Sequence, residues 1–125
     1  MNRQDFIEYI KSIYSTDPEY PWDSMPEYAV FRHVSNKKWF AVVMDIPKEK
    51  LGIPSSEIID IVNLKCDPIL TGNLRNEKGI FPAYHMNKTY WISVALDGTV
   101  EDDKLKWLLD LSFDLTDNKK KMHLK

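Results

Sequence analysis

At 125 residues the chain has the length of one compact domain, and 43% hydrophobic residues with four Trp, six Tyr and five Phe fill a real core, which excludes disorder away from the ends. Its single cysteine, Cys66, excludes an internal disulfide, a thiolate metal cluster and a CxxC redox pair, and a reducing cytoplasm is the expected setting. A formal net charge of −2 excludes the whole-domain basic bias of a dedicated DNA binder, though not a local basic stripe.

The N-terminal "MNRQDFIEYIKSIY" places Phe6, Ile7, Tyr9, Ile10, Ile13 and Tyr14 at three- and four-residue intervals, which predicts an amphipathic helix over about 2–15. It is charged throughout, and no later apolar run approaches membrane-spanning length, so neither export nor insertion is expected. Three prolines in "STDPEYPWDSMPEY" end the helix and impose extended or turn geometry, with Trp22, Met25 and Tyr28 expected to cover a core edge. "YAVFRHV" and "KWFAVVMDI" read as a β-hairpin around Ser35, Asn36 and Lys37, where Asn tolerates positive φ. "IPKEKLGIPSSE" reads as a loop and "IIDIVNLKCD" as a third strand, alternating Ile59, Ile61 and Leu64 with polar neighbours.

Asp67 as N-cap and Pro68 at the first helical position predict a short helix over "DPILTGNLRNEKG", with Gly79 as a left-handed C-terminal cap. "TYWISVAL" predicts the fourth strand, and "DGT" turns the chain into a final helix with Thr99 and Asp102 as a capping pair. Leu105, Leu108, Leu109, Ser112, Phe113 and Leu115 give that helix its apolar side, with Trp107 at the flank. The expectation is a single α+β domain over 1–117, with a mainly antiparallel sheet and helices packed against it, and a frayed basic tail over 118–125.

Charge is segmented along this order. Residues 1–31 hold 2 Lys/Arg against 6 Asp/Glu, 32–92 hold 9 against 6, 93–117 hold 2 against 7, and 118–125 hold four Lys and no acid. The basic middle makes Arg32, Lys37, Lys38, Lys65, Arg75, Lys78, His85 and Lys88 the candidate nucleic-acid contacts, with Tyr84, Tyr90 or Trp91 as stacking rings.

"MPEYAVFRH", "NKKWFAVV", "LKCDP", "GIFPAYHMNKTYWISVALDGTV" and "LLDLSFDLT", in that order over roughly 5–116, resemble the MmcQ/YjbR family of small bacterial proteins. The resemblance implies a double-wing α+β fold, similar to a domain first described in a phage transcription factor, and a DNA-binding function. Phe113 stands where the family commonly carries Tyr, and Asn36 and Lys37 stand where its hairpin turn often carries Gly.

Three functions compete. Nucleic-acid binding ranks first, on the basic middle and the family's fold. A small-ligand or enzymatic pocket around Lys65, Cys66, Tyr84, His85 and Lys88 follows closely, on the density of polar groups in "LKCDP" and "PAYHMNKTYW". A protein-interaction role has no positive sign, and a monomer is expected. An imidazole can act as acid, base or phosphate contact, but no acid or nucleophile stands beside His85 by spacing, so its ordinary reading is a loop histidine bonded to backbone. Cys66 before a helix N-terminus and beside Lys65 suggests a stabilised thiolate, against the commoner role of a small buried apolar residue. No catalytic constellation is identifiable, no cofactor is implied, and His33, His85 and His123 lack metal-ligand spacing.

Overall fold

A computed structural model of the chain describes residues 1–117, so the basic tail expected over 118–125 lies outside the described residues. The elements run α1 (Arg3–Tyr14), β1 (Ala29–Arg32), β2 (Trp39–Pro47), β3 (Ile58–Lys65), α2 (Pro68–Leu74), β4 (Ile80–Pro82), β5 (Trp91–Ala95) and α3 (Asp102–Thr116), with a 3-10 turn at Lys48–Leu51. The five strands form one antiparallel sheet in the order β1-β2-β3-β5-β4. The α+β expectation holds.

Alternation of side chains along each strand sorts the residues onto two faces. One face carries Ala29 and Phe31 of β1, Ala41 and Val43 of β2, Val62 and Leu64 of β3, and Ile92 and Val94 of β5; it packs on Phe6, Ile7 and Ile10 of α1 and Leu105, Leu108 and Leu109 of α3. Each large apolar side chain buried there contributes about 1.5–3 kcal/mol. The opposite, open face carries Val30, Val42, Met44, Ile46, Ile59, Ile61 and Ala95, covered by Trp22, Tyr28, Tyr84 and Met86 from loops together with Leu51, Trp39 of β2 and Phe81 of β4. Burial on both faces explains why β2 reads as a nearly continuous apolar run.

Local signals set the helix ends. Asn2 caps α1 by accepting the Asp5 amide at 2.8 Å, and Ser15 terminates it in the left-handed region at φ 51°. Asp67 caps α2 through the Ile69 amide at 2.9 Å, with Pro68 in the first turn. Ser112 of α3 ties helix to sheet: its hydroxyl donates to the Phe40 carbonyl at 2.5 Å and accepts the Lys65 amide at 2.8 Å. Buried His33 Nε2 and Thr116 Oγ1 share a hydrogen bond at 2.7 Å, and the Thr116 hydroxyl also lies 2.8 Å from the Ser112 carbonyl. Burial holds the His33 pKa below its ordinary value, so the ring stays neutral.

Several expectations are corrected. The helix predicted over 67–79 stops at Leu74, and the residues after it lead into a fifth strand, β4, where four are predicted. Gly79 is left-handed at φ +88°, but it serves the entry to β4 and not the α2 cap, which is Arg75. At the β1–β2 turn the positive φ falls on Lys37, at 65°; Asn36 uses its side chain instead, accepting the Lys38 amide at 2.9 Å and donating to the Thr116 carbonyl at 2.8 Å. The Thr99–Asp102 capping pair does not form: α3 begins after Glu101 without a side-chain cap, and Asp102 meets the N-terminal ammonium at 2.6 Å. The fourth predicted strand begins at Trp91, later than expected, because Asn87 turns the chain by accepting the Tyr90 and Trp91 amides at its carbonyl.

Candidate functional site

On the open face, β2 and β3 form the floor of a cleft of about 340 Å³. Val42 and Met44 of β2 and Asn63 of β3 line its base. Trp22, Met25 and Tyr28, from the proline-rich segment after α1, form one wall with Trp39; the Trp22 ring lies edge-on to both Tyr28 and Trp39, at centroid distances of 6.0 and 5.8 Å. Tyr84, His85 and Met86, between β4 and β5, form the other wall.

Two buried polar side chains set the position of that second wall. Asn63 Nδ2 donates to the Tyr84 carbonyl at 2.8 Å, and Ser93 Oγ accepts the Tyr84 amide at 2.9 Å while donating to Asn63 Oδ1 at 2.5 Å. Both backbone polar groups of one residue, Tyr84, are thus held by side chains in the way a neighbouring strand would hold them. The chain then turns at His85, φ 58°, a left-handed conformation that His adopts more readily than most residues, and the Tyr84 and His85 rings lie 3.9 Å apart.

Among the described residues, the lining contains no Asp, Glu, Lys or Arg. Burial, followed by the nearby Tyr84 and Asp45, raises the Tyr28 pKa, so this phenol stays a neutral hydrogen-bond donor. Aromatic faces, three polarisable methionines and a few polar tips suit a flat uncharged ring system.

The structure separates the residues of the pocket expected around Lys65, Cys66, Tyr84, His85 and Lys88. Tyr84 and His85 line the cleft, whereas Cys66 lies in the helix-side core, 1% exposed. Burial pushes the Cys66 thiol up, so the thiolate expected from the helix start and Lys65 is disfavoured. Lys65 ends β3 beside the rings of Tyr90 and Trp91, at 5.5 and 5.4 Å, and Lys88 is exposed in the loop before β5.

The candidate nucleic-acid contacts also divide. Lys37 and Lys38 sit exposed at the β1–β2 turn, and strand register brings that turn to the same end of the sheet as Lys65 and the start of β5. Lys88 lies in the loop that enters β5 there. Arg32 faces the open side over Trp39, its Nε 3.2 Å from Glu19 without a well-aligned hydrogen bond. Arg75 reaches the Lys88 carbonyl at 3.3 Å, and with Lys78 it borders a different cleft along β4.

Trp39, Val42, Met44, Asn63 and Met86 also line the cleft, and none of them is a site candidate by sequence. Asn63 carried a signal: an amide at the same strand parity as buried Ile59 and Ile61 is an interior polar group in need of partners. The others read as ordinary core, because their cleft is assembled from segments distant in sequence.

The fold and cleft define a small α+β protein whose sheet is covered by helices on one face and loops on the other. The YjbR family model matches residues 11–115, and the chain belongs to that family. It is 44% identical over 116 residues to the Bacillus subtilis (strain 168) protein YyaQ, covering 93% of this chain and 98% of that one. It is 31% identical to YbdF of Escherichia coli O157:H7, covering 92% and 87%. Both relatives are described as uncharacterized proteins. A crystal structure of a Pseudomonas syringae protein superposes with a TM-score of 0.92 at 50% identity, covering 94% of this chain and all (100%) of that one. A Deinococcus radiodurans protein superposes with a TM-score of 0.70 at 27% identity, covering 94% and 80%.

Proposed function

We propose that the protein binds a small, flat, uncharged ring compound in the open-face cleft. The observation that carries this reading is the lining: Trp22, Tyr28, Trp39 and Tyr84 around a volume of about 340 Å³, with no Asp, Glu, Lys or Arg among the described residues that line it. The buried Asn63–Ser93 pair supports it, because a fixed wall lowers the ordering cost of binding. Saturation-transfer NMR with indole and 2-naphthol tests it. Both rings should bind the wild-type protein, and Met86→Trp, which fills the cleft from a half-buried loop position, should abolish binding while the amide spectrum stays folded. Equal binding by Met86→Trp, or none by wild type, refutes the reading.

Nucleic-acid binding, the function the double-wing resemblance implies, is a second reading. Its support is the gathering of Lys37, Lys38, Lys65 and Lys88 at one end of the sheet, where Tyr90 is 45% exposed and available for stacking. Anisotropy titrations of the same sample with duplex and single-stranded DNA separate the readings: phosphate contact requires affinity that falls steeply with salt, and no binding at low salt eliminates it.

A further inference from the structure

A second cleft, of about 400 Å³, opens along the outer strand β4, and neither reading above uses it. Its floor is apolar, with Ile59 of β3, Phe81 of β4 and Ala95 of β5. Its rim carries three cations, Lys48, Arg75 and Lys78, and two acids, Glu77 and Asp97.

The partners of these groups decide its polarity. Lys48 is neutralised by Glu57 at 3.0 Å, and Glu77 by Lys104 at 3.3 Å. Asp97 accepts the Thr99 amide at 3.0 Å. Arg75 uses one guanidinium nitrogen on the Lys88 carbonyl at 3.3 Å, and among the described residues neither it nor Lys78 has an acid within ion-pair distance. Two unneutralised cations therefore face one unneutralised acid, and the rim is left with a positive excess above an apolar floor. Arg75 is partly buried, which reduces solvent screening of its charge, and a guanidinium presents several donors in a fixed fork suited to carboxylate or phosphate oxygens.

We propose that this cleft binds a small amphiphilic anion, a carboxylate or phosphate monoester on a short apolar body, with the anionic group at Arg75 and Lys78 and the body on Ile59, Phe81 and Ala95. The charged rim distinguishes it from the ring-lined cleft, and the two sites stand or fall separately.

Amide NMR titrations with hexanoate, hexyl phosphate, inorganic phosphate and 1-hexanol test the proposal. Hexanoate or hexyl phosphate should saturably shift the Gly79, Phe81 and Ala95 amides, and the tighter of the two identifies the anion. Inorganic phosphate and 1-hexanol should each bind more weakly, because each supplies only half of the recognition. Arg75→Gln with Lys78→Gln should weaken the amphiphile at least about tenfold, since charge-assisted hydrogen bonds are lost. The single variant Lys78→Gln, at an exposed side chain, should weaken it in the same direction if the double variant disturbs the fold. No saturable shift by either amphiphile, unchanged affinity in the variants, or 1-hexanol binding as tightly as hexanoate overturns the proposal.

Discussion

Tyr84 is held at both of its backbone polar groups by side chains, with Asn63 at the carbonyl and Ser93 at the amide, 2.8 and 2.9 Å away. Neither Asn63 nor Ser93 has exposed surface, so water is not available to replace a missing partner. Asn63→Ala removes the donor to the Tyr84 carbonyl and the acceptor for the Ser93 hydroxyl together. It should cost about 1–3 kcal/mol. A lower denaturant midpoint with an unchanged slope would register that loss, accompanied by shifts of the Tyr84 and His85 amides. A variant as stable as wild type with those amides unmoved would show that the loop is held by other means. Asn63 and Ser93 were visible in the sequence only as polar residues in apolar strands. Parity with Ile59 and Ile61 turns Asn63 inward, but its partners, Ser93 and the Tyr84 carbonyl, come from other segments and only the folded sheet supplies them.

At the scale of elements, α1, β2, β3, β5 and α3 were legible because each carries its own period and boundary residues. β4 was not: a three-residue strand has no period to read, and its pairing with β5 is a tertiary event. Pro82, with no amide hydrogen, suits this outer strand, since it removes a donor that would otherwise face solvent at the sheet edge. The opposite edge is closed differently, by Glu19 exchanging two backbone hydrogen bonds with Val30 at 2.9 and 2.8 Å. Entry into β4 depends on Gly79. Its φ of +88° is strained for other residues, and a Cβ there would lie 2.8 Å from Val100 Cγ2 and 3.1 Å from Thr99 Cγ2. Gly79→Ala should therefore destabilise the protein by about 1–3 kcal/mol, read as a lowered thermal midpoint. An unchanged midpoint would mean that the α2–β4 connection relaxes freely.

Across the whole molecule, the two faces of the sheet divide the work. The helices bury one face in a closed core, while the other is covered by side chains from loops and carries the cleft. Fold class was readable from element order because the order of helices and strands limits how such a chain packs. The cleft was not, since its residues come from 22–28, 39–44, 63 and 84–86, and only the folded sheet joins them. Methionine methyl groups report on it directly. Met25, Met44 and Met86 line the cleft, and Met1 packs at the helix-side core. In protein carrying 13C-methyl methionine, titration with 2-naphthol should shift the Met25, Met44 and Met86 methyl resonances saturably, with one common affinity, and leave Met1 unmoved; no saturable shift at the three, or an equal shift at Met1, would contradict a ring-binding cleft on the open face.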